Sequence, residues 1–331
     1  MEEPELAALA LRLRRLPLQV SEISVKRNDA AIPGYGEELR PSSTVAIAGL
    51  GASGYGEHVG WTPAAHSAFE ENSRRMPHGA TTVENFALAI EERLIDSYDR
   101  AALEAAAIDL ALGQAGETLA TFCGRPFAAV RYVRSFSPLA DPVADLPRLR
   151  AEAPGIEFKL DVDLQWSPDA LAVLAAAEDI AILDFKQAGS AAQARQIHRQ
   201  IPGPLVEDPG GTATLPPAMR NRLSLDASIS GPQPLRAIEQ HSPVAVNLKA
   251  PRIGSVLRLI DIAAFCAARG IRTYLGGMFE VGVGRRQALA LAALICPSAP
   301  NDIAPIALAT RIAFPARLIP APHAPGFGFR G

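Results

Sequence analysis

Five short runs rich in Ile, Leu and Val, each ending in a charged residue, dominate the middle of the chain: Ile156–Asp163, Ile180–Lys186, Leu205–Asp208, Leu223–Asp226 and Val244–Lys249. Segments of helical composition separate them, at Pro168–Glu178, Ala191–Gln200, Leu215–Arg222 and Pro234–His241. Alternation at this period predicts βα units and a parallel sheet, an α/β fold. Ala128–Ser135 reads as an earlier strand. The helix Ser255–Arg269, the strand Ile271–Leu275 and the helix Arg285–Ile295 extend the series, and a short strand around Ile303–Leu308 would close a barrel. Apolar strands that end in acids carry those acids to the carboxyl edge of the sheet, where a (β/α) barrel places its chemistry. Asp184, Glu207 and Asp226 then converge on one point. Like charges at close range force protonation unless a cation intervenes, and Mg²⁺ is the hard ion suited to a cage of carboxylate oxygens.

The first 60 residues carry another pattern. Leu11–Ile23 and Ser43–Gly49 read as antiparallel strands around a polar loop, Ser24–Ser42. Gly49-Leu-Gly51-Ala-Ser-Gly54 spells GxGxxG after an apolar strand, but a dinucleotide site needs a helix to begin there. Tyr55-Gly-Glu-His-Val-Gly-Trp61 follows instead, with glycines that oppose a helix, so a glycine-rich hairpin turn fits better. Residues 62–122 read as helices, clearest in the alanine-rich Asp96–Gly113. Cys123-Gly-Arg-Pro126 breaks the helical pattern and marks a boundary between an α+β domain (1–124) and the barrel (125–315). A Pro- and Gly-rich tail (316–331) ends the chain.

Composition narrows the function class. The 331 residues are 48% hydrophobic and 20% charged, with net charge -3, no basic block and few aromatics, which gives nucleic-acid binding little support. No apolar run approaches the ~20 residues of a membrane span, and the acidic, Arg-containing start does not read as a secretory signal. Cys123, Cys266 and Cys296 form no CxxC, so buried thiols in a reducing cytoplasm are expected rather than a disulfide frame or zinc site.

The motifs, taken in order, resemble those of the enolase superfamily, nearest its muconate-lactonizing branch. Gly54-Tyr-Gly-Glu57 is similar to the family's G-x-GE turn, and Asp109-Leu-Ala-Leu with Gly124-Arg-Pro to its linker helix. Asp184-Phe-Lys-Gln187 resembles DxNQ, Glu207-Asp-Pro209 resembles ExP, and Asp226-Ala-Ser228 resembles DES, the three metal-ligand motifs. Asn247-Leu-Lys-Ala-Pro-Arg-Ile-Gly254 is similar to the strand carrying the catalytic lysine, Lys249, and Met278-Phe-Glu280 with Gly282 and Gly284 to an M-x-E-x-G-x-G loop. Successive motifs lie roughly twenty residues apart, about one βα unit. The resemblance implies a (β/α)₇β modified TIM barrel under an α+β capping domain, to which the tail returns. It further implies a homo-oligomeric enzyme that holds Mg²⁺ at Asp184, Glu207 and Asp226 and removes the α-proton of a small carboxylate. Dehydration like that of o-succinylbenzoate synthase, cycloisomerisation, and epimerisation of an acylated amino acid or dipeptide all belong to this class. So does a catalytically silent relative that binds metal and ligand.

Two positions depart from the pattern. The family's KxK strand here reads Lys159-Leu-Asp161, continuing to Asp163 on the same face by alternation. One strand on, Lys186 replaces the family's Asn. We expect Asp161 to pair with Lys186, the cation having moved between neighbouring strands. Lys159, Asp161 and Lys186 therefore join Lys249 as candidate acid/base residues, and loss of KxK favours one-base elimination. Asn247, Asp163 and Glu280 are candidate substrate contacts, with loop bracing the alternative for Glu280. Phe158–Trp166 also fits DxNxxW superficially, making Asp161 a rival first ligand, but the βα spacing favours Asp184. No histidine falls on a barrel strand, so His58, His66, His78, His198, His241 and His323 are expected at structural or surface positions. Trp166 would line the pocket or pack under a loop. Lys26, Arg27 and Arg40 would greet an anionic substrate or remain solvated.

Overall fold

The computed structural model describes residues 1–31, 39–152, 154–231, 233–303, 317–322 and 324–327. Helix α1 (Glu3–Arg14) opens the chain where the sequence suggested the start of a strand at Leu11. Leu6, Leu9, Ala10 and Leu13 are buried at helical spacing while Leu11 faces solvent, so the 3.6-residue period outweighs local alternation. Pro17 ends the helical option for Leu16, and Pro17–Val20 then runs as a strand. Strands β1 (Glu22–Arg27), β2 (Ser43–Gly49) and β3 (Ala52–His58) make an antiparallel sheet in which Gly49 pairs with Ala52. The GxGxxG stretch is therefore a hairpin, as its following glycines implied.

The glycines of β3 serve packing. Helix α2 (Ser97–Gln114), capped by Asp96 accepting from the Tyr98 and Asp99 amides, lies against β3 along an alanine face. A Cβ at Gly54 would collide with the Leu110 backbone, and one at Gly56 with the Ala102 carbonyl. Small residues on both elements allow this close approach.

After residue 130 the pattern becomes parallel. Strands β4 (Val133–Phe136), β5 (Glu157–Asp161), β6 (Ile180–Asp184), β7 (Leu205–Glu207), β8 (Leu223–Leu225), β9 (Ala245–Leu248) and β10 (Arg272–Leu275) form one curled sheet, each paired in parallel with its sequence neighbours. Helices alternate with them, and α3 (Val256–Ala267) and α4 (Val283–Ile295) pack behind β10. The ring closes at Asn301, bridged to Tyr132, and Asp302, bridged to Gly276. This is earlier than the Ile303–Leu308 strand expected from sequence, of which residues 304–308 lie outside the described residues, as does His323 in the tail. The architecture is the expected curled β/α sheet with an N-terminal α+β part.

Three buried acids fasten the N-terminal part to the barrel and tail through backbone donors. Glu57 accepts from the amides of Val281, Gly282 and Gly284 in the loop after β10. Glu104 accepts from Ser255 Oγ and the Leu257 amide at the start of α3. Asp109 accepts from the amides of Tyr55 and Phe327.

Candidate active site at the barrel mouth

The acids that end β6 and β7, and the one just past β8, meet as the sequence predicted. One oxygen each from Asp184, Glu207 and Asp226 lies within 4.8 Å of the others, and all three residues are buried. Oxygen-only donors from adjacent strands suit a hard divalent ion. Around them stand four cations. Lys159 reaches Glu207, Asp184 at 3.1 Å and Asp302 at 3.2 Å. Lys186 binds Asp184 and lies 3.0 Å from Asp161. Lys249 and Arg252 share Asp226 at 2.8 and 2.6 Å.

The expected Asp161–Lys186 pair forms because β5 and β6 place Asp161 directly beside Asp184, after a bulge that shifts register between Phe158 and Lys159. Lys186 and Gln187 follow in left-handed backbone, φ 50° and 63°, turning the lysine back over its own strand end. Asp208 is strained likewise, at φ 44°, and accepts from the Asp226 and Ala227 amides. Three non-glycine residues in this region at neighbouring strand ends mark a site held in place by its surroundings.

Charge crowding sets the protonation pattern. Burial pushes the Glu207 carboxyl up to about 8; Lys159 opposes this, while Asp226 and Asp184 add to it. Burial also acts against Asp184 and Asp226, yet Lys159 and Lys186 hold Asp184 down at about 2, and Lys249, Lys159 and Arg252 hold Asp226 well below the ordinary range. Desolvation works against the Lys159 ammonium, but Glu207, Asp302 and Asp184 outweigh it and hold it charged. Five carboxyl groups (Asp161, Asp184, Glu207, Asp226, Asp302) thus face four cationic side chains among the described residues, with Asp208 held on backbone amides beside them.

Asn247 lies on β9 two residues before Lys249 and is 1% exposed, yet neither its amide nitrogen nor its oxygen has a hydrogen-bond partner. Gly276 lies against it, since a Cβ there would meet the Asn247 oxygen and Lys249 Cε. A buried orphan amide costs about 1–3 kcal/mol unless something polar completes it.

Other expected residues take different places. Asp163 lies beyond the end of β5 and accepts from the Gln165 amide, so the alternation that grouped it with Lys159 and Asp161 stops one step short. Glu280 turns its carboxylate onto the Met278 amide, bracing its own loop. Trp166 is buried with Nε1 on the Leu139 carbonyl, the packing alternative. Arg40 is fully buried and donates to the carbonyls of Val59, Gly60 and Met278, so it is not a solvated charge. Arg27 pairs with Asp29. His58 and His66 form a buried network with Asp99 and Ser43. The three cysteines are free, and burial pushes the Cys266 thiol up to about 12.

Sequence reasoning missed Asp302, Arg252, Tyr274 and Asp208. Tyr274 donates to Glu207 and lies 2.7 Å from Ser224 Oγ. Inward alternation along β10 was the available signal for it, and the Asn247–Gly254 motif already contained Arg252. Asp302 had no signal, because it sits on a two-residue closing bridge.

Comparisons with known proteins agree with this fold. The chain matches both parts of DUF8230, a domain of unknown function: its N-terminal domain at residues 11–122 and its C-terminal domain at 127–310. An o-succinylbenzoate synthase of Geobacillus kaustophilus is 27% identical over 278 residues, 78% of this chain and 73% of that one. An N-succinylamino acid racemase of Amycolatopsis is 30% identical over 159 residues, 44% and 43% of the two chains. Coverage of such curated relatives falls to about a quarter of their length in an Enterococcus faecalis o-succinylbenzoate synthase. Among solved structures, an enolase-superfamily member from Listeria innocua superposes with TM-score 0.78 at 20% identity, covering 94% of each chain. A dipeptide epimerase from Methylococcus capsulatus, complexed with a Mg ion, gives 0.72 at 21% identity over 86% of this chain and 89% of that one. No helix of the described residues is long and apolar enough to cross a membrane.

Proposed function

Since this chain belongs to the DUF8230 family and has the enolase-superfamily fold, we propose that it is a Mg²⁺-dependent enzyme that removes the α-proton of a small carboxylate substrate. The observation that carries this reading is the acid trio beside Lys249, with the orphaned Asn247 amide next to it. The donor set fits the ion: three buried carboxylates from neighbouring strands, in a cluster where acids outnumber cations. Asp184, Glu207 and Asp226 would hold Mg²⁺, which supplies the concentrated positive charge that a developing dianion needs.

The chain's own residues do the rest. An α-proton next to a carboxylate is very weakly acidic, so the base must stand against it in a dry site. Lys249 Nζ, 6% exposed as a residue and 2.8 Å from Asp226, is the base: having given up its ammonium proton to solvent, it takes the α-proton onto the freed lone pair. Lys159 keeps its charge and complements the substrate carboxylate. Asn247 donates to a substrate oxygen and so fills its own hydrogen-bond deficit. Asp161 holds Lys186 on the Asp184 side, away from Lys249.

With Asp161 in place of a second KxK lysine, elimination or cycloisomerisation through one base is the leading reaction, as in o-succinylbenzoate synthase. The placement of Lys186 and Lys159 across the acid cluster from Lys249 favours a second reading, epimerisation of an N-acyl amino acid or dipeptide, with a lysine on each face. Incubation with Mg²⁺ in D₂O separates them. The leading reading expects dehydration to o-succinylbenzoate or ring closure, with little label in recovered substrate. The second expects deuterium at the α-carbon of N-succinylamino acids or dipeptides, with inversion. If no carboxylate in either set gains label or turns over, the proposal fails.

A further inference from the structure

A second set of metal-ligating side chains shares no residue with the acid trio. His58 ends β3, Asp96 caps α2, and Asp99 lies in the first turn of α2; one donor atom from each lies within 4.8 Å of the other two. His58 and Asp99 are buried, while Asp96 is open to solvent. Asp96 spends Oδ1 on the amides of Tyr98 and Asp99, which leaves its second oxygen for another partner. The start of a helix disfavours a bare cation, but two carboxylates outweigh the half charge of the dipole.

Hydrogen-bond partners fix the protons of the two buried histidines. His66, on the helix Pro63–Ser73, donates from Nε2 to the Gly60 carbonyl at 3.0 Å, since a carbonyl can only accept. Burial holds His66 down at about 4, so near pH 7 its ring is neutral and Nδ1 is an acceptor. Ser43 Oγ at 2.8 Å and His58 Nδ1 at 3.2 Å both meet that nitrogen. Without a proton on His58 Nδ1, two ring lone pairs would face each other. The proton is therefore there, and Nε2 of neutral His58 presents a lone pair. Phe69, stacked on His58 with centroids 4.4 Å apart, fixes the plane of the ring.

That Nε2 is buried and makes no hydrogen bond, although Asp99 Oδ1 lies only 3.0 Å away. The oxygen stands too far off the nitrogen's bonding direction for a proton to join the two. A lone pair against a carboxylate oxygen is repulsive, so the pair calls for a cation between them. Oblique approach at this separation is what one ion asks of two ligands: bonds of about 2.0 Å in a tetrahedral zinc shell space the ligand atoms about 3.3 Å apart. An imidazole that binds through one nitrogen while the other donates to a fixed acceptor is the usual form of a metal-bound histidine.

We propose that His58, Asp96 and Asp99 form a second cation site, for Zn²⁺ or a neighbouring first-row ion, with water on the Asp96 side completing the shell. Its imidazole selects such an ion over Mg²⁺, which prefers oxygen alone, so this site does not take the ion of the barrel mouth. A bound ion would tie the end of β3 to the first turn of α2.

The test titrates Zn²⁺ into the full chain carrying Asp184→Asn, in saturating Mg²⁺, so that uptake at the mouth is suppressed. Calorimetry should find one Zn²⁺ per chain, and X-ray absorption one imidazole in its shell, a ligand the all-oxygen mouth cannot supply. Asp96→Asn on the same background keeps the helix cap and should weaken Zn²⁺ at least about ten-fold. His58→Gln should remove the imidazole signal, and Zn²⁺ should raise the melting temperature of the parent but of neither variant. Should His58→Gln fail to fold, Asp96→Asn decides alone. No Zn²⁺ uptake by the parent means a His58–Asp99 ion pair only, and overturns the site. Uptake unchanged by Asp96→Asn means a surface histidine, and overturns it too.

Discussion

Two groups of acids among the described residues, buried or nearly so, are satisfied in different ways. Glu57, Glu104 and Asp109, which join the N-terminal part to the barrel and tail, accept mainly from backbone amides fixed by the fold. Asp184, Glu207, Asp226 and Asp302, at the mouth, face the flexible ends of Lys159, Lys186, Lys249 and Arg252. Backbone amides cannot move without unfolding something, so the first group is structural. Lysine ammonium groups swing on four-carbon stems, so the second can exchange partners when a substrate or ion arrives. Burial alone does not separate the groups; the nature of the donor does.

Substitutions should divide along this line. The largest effect is expected at Lys249→Ala: turnover falls by about 10³-fold or more while thermal stability stays near that of the wild type, read by steady-state kinetics and calorimetry. Asp184→Asn should weaken Mg²⁺ binding by roughly 10²-fold, with the loss of stability limited to its pairing with Lys159 and Lys186, since Glu207 and Asp302 still compensate the first and Asp161 the second. Glu57→Ala should do the reverse. It strands three amides and lowers stability by about 3 kcal/mol in denaturant unfolding, with Mg²⁺ affinity almost unchanged.

Acidity sharpens the contrast. Glu207 is raised to about 8 in the folded chain, above its ordinary value of 4.5, so the folded state binds the extra proton between those limits. Stability measured with a chelator should therefore decline as pH rises through that window. Mg²⁺ affinity should move the other way, weakening by up to about ten-fold per unit as pH falls below 8, because the ion must displace that proton. The smallest effect is expected at Lys186→Met, a loss of turnover under about ten-fold if elimination uses Lys249 alone. A much larger loss, confined to exchange at one enantiomer, would favour the two-base isomerase.

Much of the barrel was legible because its strands are short apolar runs of uniform period, each with a charge at its end. The trio Asp184, Glu207 and Asp226 followed from that spacing, and the Asp161–Lys186 pair from two compensating departures. The opening helix was not legible, because Leu11–Ile23 alternates well enough to mimic a strand until burial of Leu6, Leu9 and Leu13 decides for the helix. Asp163 was misplaced because β5 ends at Asp161, where no residue type announces the end. Asp302 was invisible because it acts through a contact between strands far apart in sequence, which no local pattern encodes, whereas Tyr274 was passed over although alternation along β10 turns it inward.

The most direct measurement is a calorimetric titration of chelator-stripped protein with Mg²⁺ at about pH 8. The account predicts one ion per chain, with affinity reduced by roughly 10²-fold or more in Asp184→Asn and Glu207→Gln and retained in Glu57→Gln. Heats no larger than dilution for the wild type, or wild-type affinity in both mouth variants, would contradict it.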